Sequence, residues 1–190
     1  MSQGRDAAGP VLVHDAGAPL SAAEAERFRA VVLPHLDAAY NFARYLTRDP
    51  AAAEDLTQDA FLRALRGFRT YAGGEARAWL LAIVRNAFRD SLRGRREESG
   101  ELPEIADPDD PEGILMRKDQ AASVRATLER LPEPFRETLV LRELEELSYK
   151  EIAAVTAAPL GTVMSRLARA REMLAALILP AGQVAVEARP

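Results

Sequence analysis

The chain has 190 residues, a formal net charge of −4 and no cysteine. That length suits one medium domain or two small ones, and the missing cysteines exclude disulfides, thiolate catalysis, zinc fingers and iron–sulfur clusters. Hydrophobic residues make up 48% and aromatics only 6%, with alanine and leucine dominant, which favours an all-α fold over a sandwich or barrel.

Residues 1–20, rich in Gly, Ala and Pro without period, read as a disordered tail. Ser21 followed by Glu24 makes a capping box that opens the first helix. Phe28, Val31, Val32, Leu36, Ala39, Tyr40, Ala43 and Leu46 then recur at helical spacing, with a bend at Pro34. Asp49-Pro50 is a second start signal, a carboxylate cap before a proline whose φ already suits a helix. This helix is predicted to run to about Gly67. Leu56, Ala60, Phe61, Ala64, Leu65 and Phe68 share one broad face, and Asp55, Asp59, Leu62 and Arg66 gather on the other. Tyr71 to Gly74 is a loop. A helix follows from about Glu75 to Leu92, with Trp79, Leu80, Ile83, Ala87 and Leu92 as its apolar stripe.

The charge of −4 speaks against nucleic-acid binding only as an average. Arg85, Arg89, Arg93, Arg95 and Arg96 crowd together. Glu97, Glu98, Glu101, Glu104, Asp107, Asp109, Asp110 and Glu112 follow at once. Residues 97–112 hold Gly, Pro and acids without period and read as a flexible acidic linker. It separates a first domain over 21–96 from a second over 113–178, with a C-terminal tail at 179–190. The second domain is predicted to hold helices at about 113–130 and 134–145, a capping box at Ser148 and Glu151 opening a short helix to Thr156, and a last helix from about Pro159 to Leu177. No apolar run nears the ~20 residues of a membrane span, and with no basic region followed by an apolar stretch near residue 1, no signal peptide is expected. A soluble, cytoplasmic protein without membrane insertion is expected.

A short capped helix, a tight turn and a basic helix suggest a helix-turn-helix. Val163, Leu167, Ala170 and Leu174 form one stripe of the last helix. Thr162, Ser165, Arg166 and Arg169 project from roughly the opposite side, where arginines reach phosphates or guanine edges in a major groove. By pattern alone, an antiparallel helix pair with a solvated basic face accounts for the same residues. The turn carries Ala157 and Ala158 where glycine is usual.

Three runs carry a resemblance. Leu147 to Ala153, Pro159 to Leu167 and Arg169 to Glu172, preceded by Leu131 to Arg136, resemble the last domain of extracytoplasmic-function (ECF) sigma factors. Ala53 to Phe61 resembles that family's polymerase-binding segment. Trp79 to Asn86 resembles its minus-ten reading helix. The likeness covers about 25–177. It implies an all-α chain of two small helical domains, one like sigma region 2 and one like the region 4 helix-turn-helix.

The resemblance also assigns roles. Asp55, Gln58, Asp59 and Leu62 fall where the family docks on the clamp helices of the polymerase's largest subunit. The loop from Phe68 to Arg77 falls where the family captures a flipped non-template base; there Tyr71 either offers a stacking wall or packs in the core, Asn86 offers hydrogen-bonding groups for the base edge, and Arg85 and Arg89 offer cations for the backbone. Trp79 reads as core. Thr162, Met164, Ser165, Arg166, Ala168 and Arg169 fall on the helix facing the minus-thirty-five element. Met164 and Ala168 depart from common family patterns, so the promoter sequence is not legible here. The implied partners are core RNA polymerase (clamp helices and flap), promoter DNA and an anti-sigma factor, with no cofactor, no metal and no catalytic residue. The linker carboxylates either mimic nucleic acid inside the polymerase's basic channel or serve only to solvate the linker. A stand-alone helix-turn-helix regulator and a sigma mimic that titrates an anti-sigma factor are the alternative readings.

Overall fold

The structure, a computed structural model, describes residues 20–99 and 117–178. The N-terminal tail to 19, the C-terminal tail and residues 100–116 of the acidic segment lie outside the described residues, and so does either role of that segment's carboxylates.

Eight α-helices and no strand occur among the described residues. The Ser21–Glu24 capping box forms in both directions and opens α1, Ala22–Val32. Proline at position 34 cannot donate to the helix ladder. A 3₁₀ turn over Leu33–His35 therefore takes up the bend before α2, Leu36–Thr47. Asp49 accepts from the Ala52 amide at 2.7 Å, and Pro50 begins α3, Pro50–Gly67. A 3₁₀ turn over Phe68–Thr70 and a loop with Gly73 and Gly74 at φ +96° lead to α4, Ala76–Ser99. That helix runs past the predicted end near Leu92. Glu97 and Glu98, expected in the linker, are helical, because the Arg/Glu-rich stretch has high helix propensity and Gly94 alone does not stop it.

The second group comprises α5 (Arg117–Glu129), α6 (Glu133–Glu143), α7 (Tyr149–Thr156) and α8 (Leu160–Ile178). Arg136 of α6 donates from Nη1 to the Glu129 and Leu131 carbonyls, closing the C-terminal end of α5. Ser148 and Glu151 cap α7 as predicted. At its other end Ala157 adopts φ +48°, while the Ala158 amide reaches back to the Ala153 carbonyl at 3.1 Å. This is a Schellman closure with alanine in glycine's place.

α2, α3 and α4 pack on one another around Phe42, Leu80, Leu81 and Val84. α6 packs on α7 and α8 around Leu139, Leu141, Ile152, Val163 and Leu167. The inner face of α3 is nearly all small: Ala53, Ala60 and Ala64 are fully buried. Leu36 and Leu65, read as core from periodicity, are instead exposed. Both lie at the edge of their helix's apolar arc, where the next helix does not cover them. The two groups also touch, α4 against α7 and α2 against α6.

Candidate polymerase and nucleic-acid interfaces

The exposed side of α3 presents Asp55, Gln58 and Leu62, with Leu62 45% exposed. Asp59 is half-buried and engaged: Arg63 Nε approaches its carboxylate at 3.0 Å and reaches Asp90 on α4 at 2.5 Å through Nη1. Asp55 makes no such pair. It borders an open groove of about 610 Å³ between α2 and α3, lined by Leu36, Asp37, Tyr40, Glu54, Asp55, Thr57, Gln58 and Phe61. Three carboxylates on apolar walls suit a basic partner with an apolar anchor. The contribution of α2 was missed in the sequence because Leu36 and Tyr40 fit the helical core stripe.

The predicted minus-ten residues do not all meet at one surface. Tyr71 is buried: its ring stacks on Phe68 at 5.9 Å and tilts against Trp79 at 4.9 Å. Its hydroxyl donates to the Gly74 carbonyl at 2.6 Å. In this conformation it is a wall of the aromatic cluster and has no free face for a base. Trp79, expected in the core, is half-buried in that cluster. Arg85 is only 3% exposed, its Nε donating to the carboxylate of Glu137 on α6. Burial pushes the Glu137 carboxyl above its ordinary range, against the opposing pull of Arg85 and then Arg89. Asn86 is half-buried, and Arg89 is exposed.

On α8, Val163, Leu167 and Ala170 are buried and Leu174 half-buried. Met164, Ser165, Ala168 and Arg169 are exposed, while Thr162 and Arg166 are half-buried. The Ser165 hydroxyl donates to the Thr162 carbonyl at 3.0 Å, so one of its hydrogen-bonding modes is already occupied. Arg171 is held away from this face by Glu143, at 2.7 Å. Met164 (53% exposed) and Leu160 (43%) give the outer face an apolar strip between its polar groups. A second helix thus packs by one side and presents a mixed polar and apolar side from a rigid support.

Comparison with known proteins decides what this arrangement is. The Sigma-70 region 2 family matches residues 31–98 and the Sigma-70 region 4 family matches 121–174. The ECF RNA polymerase sigma-E factor of Escherichia coli is 37% identical over 137 residues, 63% of this chain and 70% of that protein. The chain belongs to the ECF sigma factor family. The ECF sigma factor SigE of Mycolicibacterium smegmatis is 39% identical over 150 residues, and this chain covers 58% of that relative's length. Two solved structures share the fold. One is RpoE with the anti-sigma factor NepR from Bartonella quintana, at 30% identity and a TM-score of 0.66, covering 80% of this chain and 96% of that one. The other is CnrH with the cytosolic domain of CnrY, at 28% identity and 0.60, covering 80% and 88%. In sigma terms, α1–α4 hold the region 2 match and α5–α8 the region 4 match.

Proposed function

We propose that this chain is an alternative sigma factor that binds core RNA polymerase and directs it to a set of promoters. The observation that carries this is the pairing of two region matches, in order, on two helical units that each present an unpartnered face. The Asp55–Gln58–Leu62 side of α3, with the acidic groove beside it, is the dock for the polymerase clamp helices. Arg89 and Asn86 on α4 lie toward minus-ten DNA, joined by Arg85 and Tyr71 once these are released. Met164, Ser165, Ala168 and Arg169 on α8, flanked by Thr162 and Arg166, face the minus-thirty-five duplex.

Such a protein works without catalytic residues. Binding to unpaired bases lowers the free energy of the open duplex and shifts the melting equilibrium toward it. Region 4 holds upstream duplex while the polymerase fixes the spacing. The protein acts in the cytoplasm, where core polymerase and promoter DNA are found. An anti-sigma factor covers the polymerase-binding face in the resting cell. One structure sharing this fold, the sigma factor RpoE, was captured with the anti-sigma factor NepR. Run-off transcription with core polymerase and this chain over a promoter library tests the reading. Promoter-specific transcripts dependent on the chain are expected, and none at any promoter would sink it. A stand-alone regulator would fail to retain core polymerase in a pull-down.

A further inference from the structure

Within the first helical unit, one side chain touches both of the interfaces assigned to it. Arg63 stands one turn after Asp59 on α3, and its Nε lies 3.0 Å from Asp59 Oδ2. Its Nη1 donates to Asp90 Oδ2 on α4 at 2.5 Å, across 27 positions of the chain. Asp59 belongs to the set on α3 assigned to the polymerase. Asp90 follows Arg89 directly and lies one turn beyond Asn86, the residues of α4 assigned to minus-ten DNA. A single guanidinium thus connects a carboxylate of the dock to a carboxylate of the DNA-reading helix.

Asp90 is out of place by charge. It is the one acid between Arg85 and Arg96, a stretch that holds five arginines. A carboxylate there repels the phosphates that those arginines attract. Arg93 approaches it only to 3.9 Å, so Arg63 is the cation that offsets it. The Arg63 side chain is 28% exposed, against 46% for Asp59 and 49% for Asp90. The cation is therefore the more enclosed member of the trio, and a partner's basic group has open access to Asp59. The guanidinium is a rigid plane that meets the two acids through different nitrogens. Whatever engages one carboxylate changes the share of positive charge that the other receives.

We propose that Arg63 is a positioning residue common to both interfaces: shared between Asp59 and Asp90, it sets the charge of the minus-ten helix according to what Asp59 binds. A polymerase cation on Asp59 releases Arg63 toward Asp90, and α4 then meets phosphate with its one acid neutralised. The linkage is reciprocal. Phosphate beside α4 favours Arg63 on Asp90, which frees Asp59 for the polymerase. This rests on the reading of α3 as the polymerase dock and α4 as the minus-ten helix.

The test uses the full chain, core polymerase and a forked DNA with an unpaired minus-ten non-template strand, built from a promoter found by run-off transcription. One readout is the affinity of the chain for core, the other the affinity of the holoenzyme for the fork. Arg63→Gln is expected to tighten core binding about threefold by releasing Asp59, and to weaken fork binding about threefold by leaving Asp90 unpaired, the size that suits ion pairs this exposed. The core gain vanishes in an Asp59→Asn background and the fork loss vanishes in an Asp90→Asn background, so that double-mutant cycles read each arm alone. Arg66→Gln, the same charge change three residues on and exposed, has effects that do not depend on either background. Should Arg63→Gln fold poorly in circular-dichroism melts, Asp59→Asn serves in its place: it tightens fork binding about threefold from α3, and the gain vanishes when Asp90→Asn is added. Arg63→Gln weakening both interactions, or changing neither, overturns the proposal, since a mere brace between α3 and α4 accounts for that. Effects that persist unaltered in both Asn backgrounds overturn it as well, since net charge alone accounts for those. Run-off transcription with the unmodified chain separates the two readings: transcripts with independent carboxylates sink only the Arg63 linkage, and no transcripts sink the sigma reading beneath it.

Discussion

Ala157 closes α7 in a left-handed backbone conformation, φ +48°, at the turn between the two helices of the DNA-reading motif. An L-residue there costs about 1–2 kcal/mol because its Cβ crowds the following carbonyl. Glycine escapes that clash but brings about 0.5–1 kcal/mol of extra chain entropy to the unfolded state. Ala157 is exposed, so its methyl contributes little burial and little is lost with it. The difference predicts that Ala157→Gly stabilises the chain by roughly 0.5–1 kcal/mol. For a chain of this size that is a rise of about 1–4 °C in Tm, at roughly 2–4 °C per kcal/mol. Ala158→Gly is the control. Ala158 has no positive φ to relieve and is half-buried, so the same substitution one residue on destabilises by about 0.5–1 kcal/mol. Circular-dichroism melts of the two variants and the parent decide the matter. A lower Tm for Ala157→Gly, or the same sign of shift for both, would refute the argument that alanine is strained at this turn.

Three further outcomes follow from the described contacts. Glu24 caps α1 and accepts from Arg69 at 3.0 Å, and these bonds, Arg69 foremost, hold its carboxyl down at about 2 against the ordinary 4.5. Its stabilising effect is therefore present above 4.5 and lost as the pH falls toward 2. The Tm gap between parent and Glu24→Gln is expected at pH 7 and should close across that window; a gap independent of pH contradicts the pairing. Asp55→Ala is expected to weaken core-polymerase binding more than Asp59→Ala, because Asp59 is already engaged by Arg63. Co-elution with core enzyme ranks the two, and equal losses would show the Arg63 pair to be irrelevant. Arg169→Ala should leave the melt unchanged while weakening holoenzyme binding to its promoter by about 1–3 kcal/mol if a base edge is contacted, or less and sequence-independently if a phosphate is. Salt-titrated promoter binding separates those cases.

The sequence disclosed this fold where signals were local and chemical. The two capping boxes, the Asp49-Pro50 start and the Pro34 bend all form, since each needs only neighbours in the chain. The apolar stripe of α8 was legible for the same reason. What periodicity cannot express is which edge of a stripe a neighbouring helix reaches. Leu36 and Leu65 sit on the arc and yet face outward, and Leu36 thereby helps line the acidic groove. Tyr71 carried the right chemistry for stacking a base, but its hydroxyl bond to Gly74 and its place against Phe68 and Trp79 are tertiary facts. Arg85 was singled out as a DNA residue by its position. Nothing local to it announced Glu137, 52 residues away, because Glu137 reads in sequence as one more acid on a charged helix.

The buried side of α3 has a consequence of another kind. Ala53, Ala60 and Ala64 have no side chain beyond a methyl to retract, and all three are fully covered. A larger residue at any of them must push a whole helix away, since overpacking is relieved by backbone movement. The close approach of α3 to its neighbours therefore depends on small side chains, alongside Leu56 and Thr57, on the hidden side of the helix that displays Asp55, Gln58 and Leu62. Such a helix can vary its outward residues freely while its inward ones stay nearly immovable. Successive sequences can thus retune what the surface binds without rebuilding the support beneath it.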